Sequence, residues 1–119
     1  MTTELGDWGE DRAALHLAEQ GLRVIERRYR TRWGEVDLIC RQEDTWVFVE
    51  VKTRTHASQP SAADAITPGK IHKLTKAALS YMKHKRRTGD NLRFDVVLIE
   101  AGRVEWIPNA FEPSSFYTL

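Results

Sequence analysis

Apolar residues recur along this chain with two periods, and the switches between them divide it into seven elements. Ala13, Ala14, Leu17 and Ala18 fall at helical spacing between Thr3, suited to cap a helix, and Gly21, suited to end one. The spacing predicts a helix over 3–20. Glu10 lies three, four and seven positions before members of that stripe, so it turns toward the packed side of the helix or its edge. Residues 22–28 read as a short strand and 30–34 as a turn. Residues 35–41 and 46–54 alternate with period two and are joined through Gln42-Glu43-Asp44-Thr45, which predicts a hairpin. Residues 56–63 are small and polar enough for a loop, with one turn of helix over 62–66 as an option. Thr67-Pro68 is a cap followed by proline at the first helical position. It opens a helix to about Lys85 with the apolar stripe Ile71, Leu74, Ala78 and Tyr81. Residues 93–100 and 103–106 read as the last strands, separated by Ala101-Gly102, and the tail from Asn109 reads as a loop packed by Phe111 and Phe116. The expected order is α-β-β-β-α-β-β in one domain over 1–119, with no internal repeat or linker.

Within the hairpin, Val36, Leu38 and Cys40 share one face of their strand and Val47, Val49 and Val51 one face of the next, which makes that face core. The opposite face carries Glu35, Asp37, Ile39 and Arg41, then Trp46, Phe48, Glu50 and Lys52. Pairing Gln42 with Thr45 makes facing residue numbers sum to 87, which sets Asp37 opposite Glu50 and Glu35 opposite Lys52. Two carboxylates about 5 Å apart repel by roughly 3 kcal/mol at an effective dielectric near 20. A shared proton, the ammonium of Lys52 or a divalent cation would each relieve that repulsion. Mg²⁺ is bound through one or two carboxylates plus waters and substrate phosphate, the ligand set on offer here. The bland alternative is an ion-paired strand face, Glu35 with Lys52 and Arg41 with its acids.

Charge changes the picture only through its distribution. The 119 residues hold 18 Lys+Arg and 17 Asp+Glu, a net of +1 that argues neither for nor against a polyanion partner. Up to Ala65 the net is −3, and beyond it +4. Residues 70–87 contain Lys70, Lys73, Lys76, Lys83, Lys85, Arg86 and Arg87 and no acid. Lys73, Lys76, Lys83 and Arg87 fall on one helical face. Arg23, Arg27, Arg28, Arg30 and Arg32 form a second basic group just before the acidic strand. The expectation is modest, salt-sensitive DNA binding that a divalent cation strengthens. Cys40 is the only cysteine, which excludes an intramolecular disulfide and a Cys-cluster zinc site, and a buried core thiol is expected. No basic start leads into an apolar run and no 18 apolar residues are consecutive, so a cytoplasmic protein is expected. His16, His56, His72 and His84 lack metal-ligand spacing. Trp33 can stack on a base or pack over the hairpin, and Trp8, Trp46 and Trp106 are assigned to packing.

Gly34-Glu35-Val36-Asp37-Leu38-Ile39 followed by Val47-Phe48-Val49-Glu50-Val51-Lys52-Thr53-Arg54 resembles the PD-(D/E)xK nuclease signature as it occurs in the YraN-like family of uncharacterised bacterial proteins. The likeness extends to Gly9-Glu10, Arg30-Thr31-Arg32, the helix start at Thr67, Arg93-Phe94-Asp95-Val96-Val97 and Asn109-Ala110-Phe111. The proline of the superfamily's PD pair is replaced by Val36. The resemblance implies an α/β fold: a restriction-endonuclease-like αβββαβ core, a mixed central sheet flanked by helices, close to archaeal Holliday-junction resolvases. It also implies that Asp37, Glu50 and the Val51 carbonyl hold Mg²⁺ or Mn²⁺, that Glu10 completes the site, and that Lys52 positions or deprotonates the water. On this reading Arg30, Arg32, Arg54, Lys70, Lys73, Lys76 and Lys83 grip the nucleic acid backbone. The implied activity is metal-dependent endonucleolytic cleavage of DNA, with branched or junction DNA as one substrate class, and symmetric cutting of a junction calls for a homodimer. The rival expectation is a nucleic-acid-binding module that keeps the fold without cleaving. A third is a protein-interaction domain whose strand-face ion pairs are incidental.

Overall fold

The order of elements follows the periodicity. The computed structural model describes residues 4–54 and 66–113. Its elements are α1 (Glu4–Glu19), β1 (Arg23–Thr31), β2 (Gly34–Gln42), β3 (Thr45–Arg54), α2 (Pro68–His84), β4 (Asn91–Glu100) and β5 (Arg103–Phe111). The 56–63 loop with His56, residues 62–65 of the optional helical turn, and Phe116 lie outside the described residues. The strands form one sheet in the order β1-β2-β3-β4-β5, antiparallel except for β3 beside β4. Among the described residues this is a mixed sheet with two helices, compatible with a restriction-endonuclease-like core. No described helix is long and apolar enough to cross a membrane.

Each helix covers its own apolar cluster. Ala13 and Leu17 of α1 pack on Leu38, Cys40, Val47, Val49, Val97 and Ile99. Leu74, Ala77, Ala78, Tyr81 and Met82 of α2 pack on Val36, Ile39, Trp46, Phe48 and Phe94. Tyr81 anchors the second cluster, with the rings of Tyr29, Trp46 and Phe48 edge-on at 5.0, 5.7 and 5.9 Å. Cys40 is buried as expected, and its burial pushes the thiol up to about 12. Thr67 caps α2, its Oγ1 accepting from the Lys70 N–H at 3.1 Å with Pro68 behind it.

Four sequence expectations need correction. β1 runs through Arg30 to Thr31, where a turn was expected, because Arg30 pairs with Glu35 and Thr31 with Gly34 in the β1–β2 ladder. β5 continues past Trp106 to Phe111, where a loop was expected. The fully buried Asp95 carboxylate holds this extension: it accepts from the Trp106 indole N–H and the Asn109 backbone N–H, both at 2.9 Å, and pairs with Arg93 at 3.0 Å. Asn109 adopts φ 50° to present that N–H. Val36 does not share a face with Leu38 and Cys40, since it packs with Ile39 under α2, so strand alternation slips by one between Val36 and Leu38. Trp8 is 42% exposed, with Arg12 over its ring at 5.4 Å, and is not a packing residue.

Gly9 sets how closely α1 approaches the sheet. A Cβ here would overlap the Thr53 hydroxyl and touch Ile99. Gly9→Val is therefore expected to lift the helix off β3 at a cost of about 1–3 kcal/mol. Chemical denaturation should show that loss, whereas unchanged stability would mean that Thr53 simply turns aside.

Candidate metal centre

The β2–β3 ladder has the register read from the turn, Gln42 with Thr45 through Leu38 with Val49, and the last recorded pair is Leu38 with Val49. One step further, the Asp37 side chain enters the ladder: its Oδ2 accepts the Val51 N–H at 2.7 Å. Gly9 lets α1 bring Glu10 to the same place, 7% exposed, as its stripe position implies. Glu35, two residues before Asp37, reaches the same point. One carboxylate oxygen each from Glu10, Glu35 and Asp37 lies within 4.8 Å of the others.

Such a cluster is electrostatically costly, and the protein relieves it in three ways. The Asp37 carboxyl is pushed up to about 8, first by burial and then by the negative charges of Glu50, Glu10 and Glu35, against the stabilising Val51 N–H. Burial and its acidic neighbours thus favour the protonated form of Asp37. The Lys70 ammonium reaches from the first turn of α2 to Glu50 Oε1 at 2.6 Å. Arg28 meets Glu10 Oε1 at 2.7 Å and also pairs with Asp7. Arg28 does so from φ 54°, a left-handed conformation that costs a non-glycine residue about 1–3 kcal/mol. Its neighbour Arg27 pairs with Asp11 at 2.7 Å, so two successive residues of β1 both serve α1. Arg27 and Arg28 are thereby both ion-paired to α1, Arg27 at the surface and Arg28 partly buried.

Of the three fillers considered for the Asp37–Glu50 gap, the raised Asp37 carboxyl favours the proton, and the lysine on Glu50 is Lys70 and not Lys52. Lys52 is half-buried on β3, two residues beyond Glu50, and its side chain has no ion pair or hydrogen bond among the described residues. Val51 supplies its N–H to Asp37. Among the expected backbone-gripping residues, Lys70 is drawn into the centre and Arg54 into an ion pair with Glu100, whose carboxyl it holds below the usual range. Arg30 is mostly exposed and lies 3.3 Å from Glu35. Arg32 is exposed and lies over Trp33, with Lys76 on the same ring. Lys73 and Lys83 are exposed on α2.

Glu35 is the member of the cluster that sequence reasoning missed, having been assigned to Lys52. Its offset of two from Asp37 on one strand was the available signal. The donor set suits a divalent cation. Ligands on opposite sides of one Mg²⁺ stand about 4 Å apart, so these carboxylates need only small rotations to share one ion. Lys70 competes with that ion for Glu50. Lys70→Met is expected to tighten divalent binding roughly fivefold, the equivalent of about 1 kcal/mol for a partly solvated pair. Weaker binding in a calorimetric titration would show instead that Lys70 holds Glu50 in its binding position.

Residues 9–99 match the model of the uncharacterised protein family UPF0102. A UPF0102 protein of Syntrophomonas wolfei is 46% identical over 93% of this chain and 100% of its own length. Another, from Dechloromonas aromatica, is 46% identical over 92% of this chain and 90% of its own. A third, from Shewanella sediminis, is 40% identical over 93% and 94% respectively. The matched span takes in Glu10, Glu35, Asp37, Glu50, Lys52 and Lys70, and the chain belongs to the UPF0102 family.

Proposed function

We propose that this protein is a divalent-metal-dependent endonuclease that hydrolyses phosphodiester bonds in DNA, branched DNA included. The observation that carries the reading is the convergence of Glu10 of α1 with Glu35 and Asp37 of β2 within 4.8 Å, where Asp37 also feels the charge of Glu50, two residues before Lys52 on β3. A bound Mg²⁺ or Mn²⁺ supplies a Lewis acid that draws charge from phosphate oxygens and acidifies water. Asp37, Glu35 and Glu10 would hold it, with Glu50 joining once Lys70 is displaced and the Val51 carbonyl as a further ligand. Val51 N–H keeps the Asp37 carboxylate turned into the site. Lys52 brings a compact positive charge to the attacking water and to the phosphate. Lys73, Lys76, Lys83, Arg30 and Arg32 position the backbone without reading sequence. Symmetric cutting of a four-way junction would use a homodimer.

The test is calorimetric titration with Mg²⁺ and Mn²⁺. Binding in the parent, lost in Asp37→Asn, is the expected result. No binding in the parent would favour a nucleic-acid-binding module that does not cleave.

A further inference from the structure

The turn between β1 and β2 carries a feature that metal chemistry does not use. Thr31 Oγ1 donates to the Gly34 carbonyl at 3.0 Å and accepts the Trp33 backbone N–H at 3.1 Å, which pins the indole over α2. Gly34 takes φ 147°, a conformation side chains disfavour, and leaves the space beside the ring open. The result is a cleft of about 100 Å³ lined by Trp33, Gly34, Glu35, Lys70, Lys73, Leu74 and Ala77. Its walls are an aromatic ring and two aliphatic side chains. Lys70 and Lys73 line it, and Arg32 and Lys76 lie over the indole itself, 4.7 and 5.7 Å from its centroid, so an entering flat ring takes the place of one of these cations. Among the described lining residues the one acid is Glu35, at the end shared with the carboxylate cluster.

We propose that this cleft takes one unpaired nucleobase of a DNA strand, stacked on Trp33 with its flanking phosphates on Lys73, Lys76 and Arg32. An apolar slot ringed by cations matches a flat ring whose two neighbours are anions, and it matches neither an acidic peptide nor a neutral apolar ligand as well. A base inside a duplex has both faces covered and cannot enter. The cleft therefore selects nucleotides that are already unpaired, as at flaps, gaps and junctions, and Glu35 sets that nucleotide beside the carboxylates. As a substrate preference the inference rests on the nuclease reading, whereas as a binding site it stands without it.

The test is fluorescence anisotropy with a dye-labelled single-stranded oligodeoxynucleotide and a blunt duplex of the same sequence, in EDTA so that neither metal nor cleavage enters. Trp33→Ala is expected to lose roughly 5- to 150-fold affinity for the single strand, as for one stacked base, and to change duplex affinity by no more than about twofold. Trp33→Phe keeps a ring and should retain most single-strand affinity, which separates stacking from misfolding. Equal losses on both DNAs, or no loss on either, would overturn the proposal. If Trp33→Ala shows the selective loss while the parent neither binds metal nor cuts, the cleft stands and the nuclease reading falls. If the parent cuts in an Asp37-dependent way without any Trp33 effect, the cleft alone falls.

Discussion

Asp37→Asn is expected to raise the melting temperature while removing divalent binding and cleavage. The wild-type carboxyl is pushed up to about 8 by burial and by Glu50, Glu10 and Glu35, whereas in the unfolded chain it ionises near 4. Between those values the unfolded state has released a proton that the folded state still binds. Stability therefore falls as pH rises from about 4 to about 8 and levels above that. Asparagine keeps an acceptor for the Val51 N–H and has nothing to ionise. At about 1.4 kcal/mol per pH unit above pH 4, the variant should gain up to about 4 kcal/mol at neutral pH, upwards of about 10 degrees in a domain of this size. Its advantage over the parent should be smallest near pH 4 and widest at pH 8 and above. Saturating Mg²⁺ should narrow the gap, since an ion at a hundred times its dissociation constant adds about 2.7 kcal/mol to the parent alone. Thermal melts of both proteins at pH 5 and 8, with and without Mg²⁺, check all of this. A variant less stable than the parent at every pH would mean that Asp37 is a structural acceptor.

Lys52→Met is expected to lower the cleavage rate by roughly 10²–10⁴-fold, the usual worth of a positioned acid–base group, while divalent binding stays within about twofold. The split follows from placement. Lys52 lies on the strand of Glu50 but outside the carboxylate cluster, and its ammonium is unspent among the described residues, unlike Lys70. Lys52→Arg should not restore the rate, because a planar guanidinium is no substitute for a compact ammonium in a half-buried position. Single-turnover cleavage beside a calorimetric titration reads both quantities. Loss of metal binding in Lys52→Met would show that the residue supports the site's architecture.

What the sequence made legible was local. The register through the Gln42–Thr45 turn held because period-two alternation and a short connection leave few ways to pair two strands. Glu10 was found on the packed side because a helical stripe fixes direction. The misses came from tertiary events. The alternation slip between Val36 and Leu38, the left-handed Arg28 and the Asp95 network that holds β5 through Asn109 each depend on a partner far along the chain. Glu35 was overlooked because its pairing was extrapolated past Leu38, where the recorded β2–β3 pairing ends. Lys70 was read as surface because nothing in a basic helix says which of its lysines the docked fold aims at Glu50. Cationic residues were easy to count and hard to assign.

The central proposal is metal-dependent cleavage of DNA at the centre that holds Asp37. The decisive measurement is a cleavage panel of linear, flap and four-way-junction DNA with Mn²⁺ or Mg²⁺, comparing the parent with Asp37→Asn. The expected result is cutting by the parent, strongest on DNA with unpaired nucleotides, abolished by EDTA and by the substitution. No cutting of any substrate by a parent that is folded and metal-loaded, or equal cutting by the variant, would contradict it.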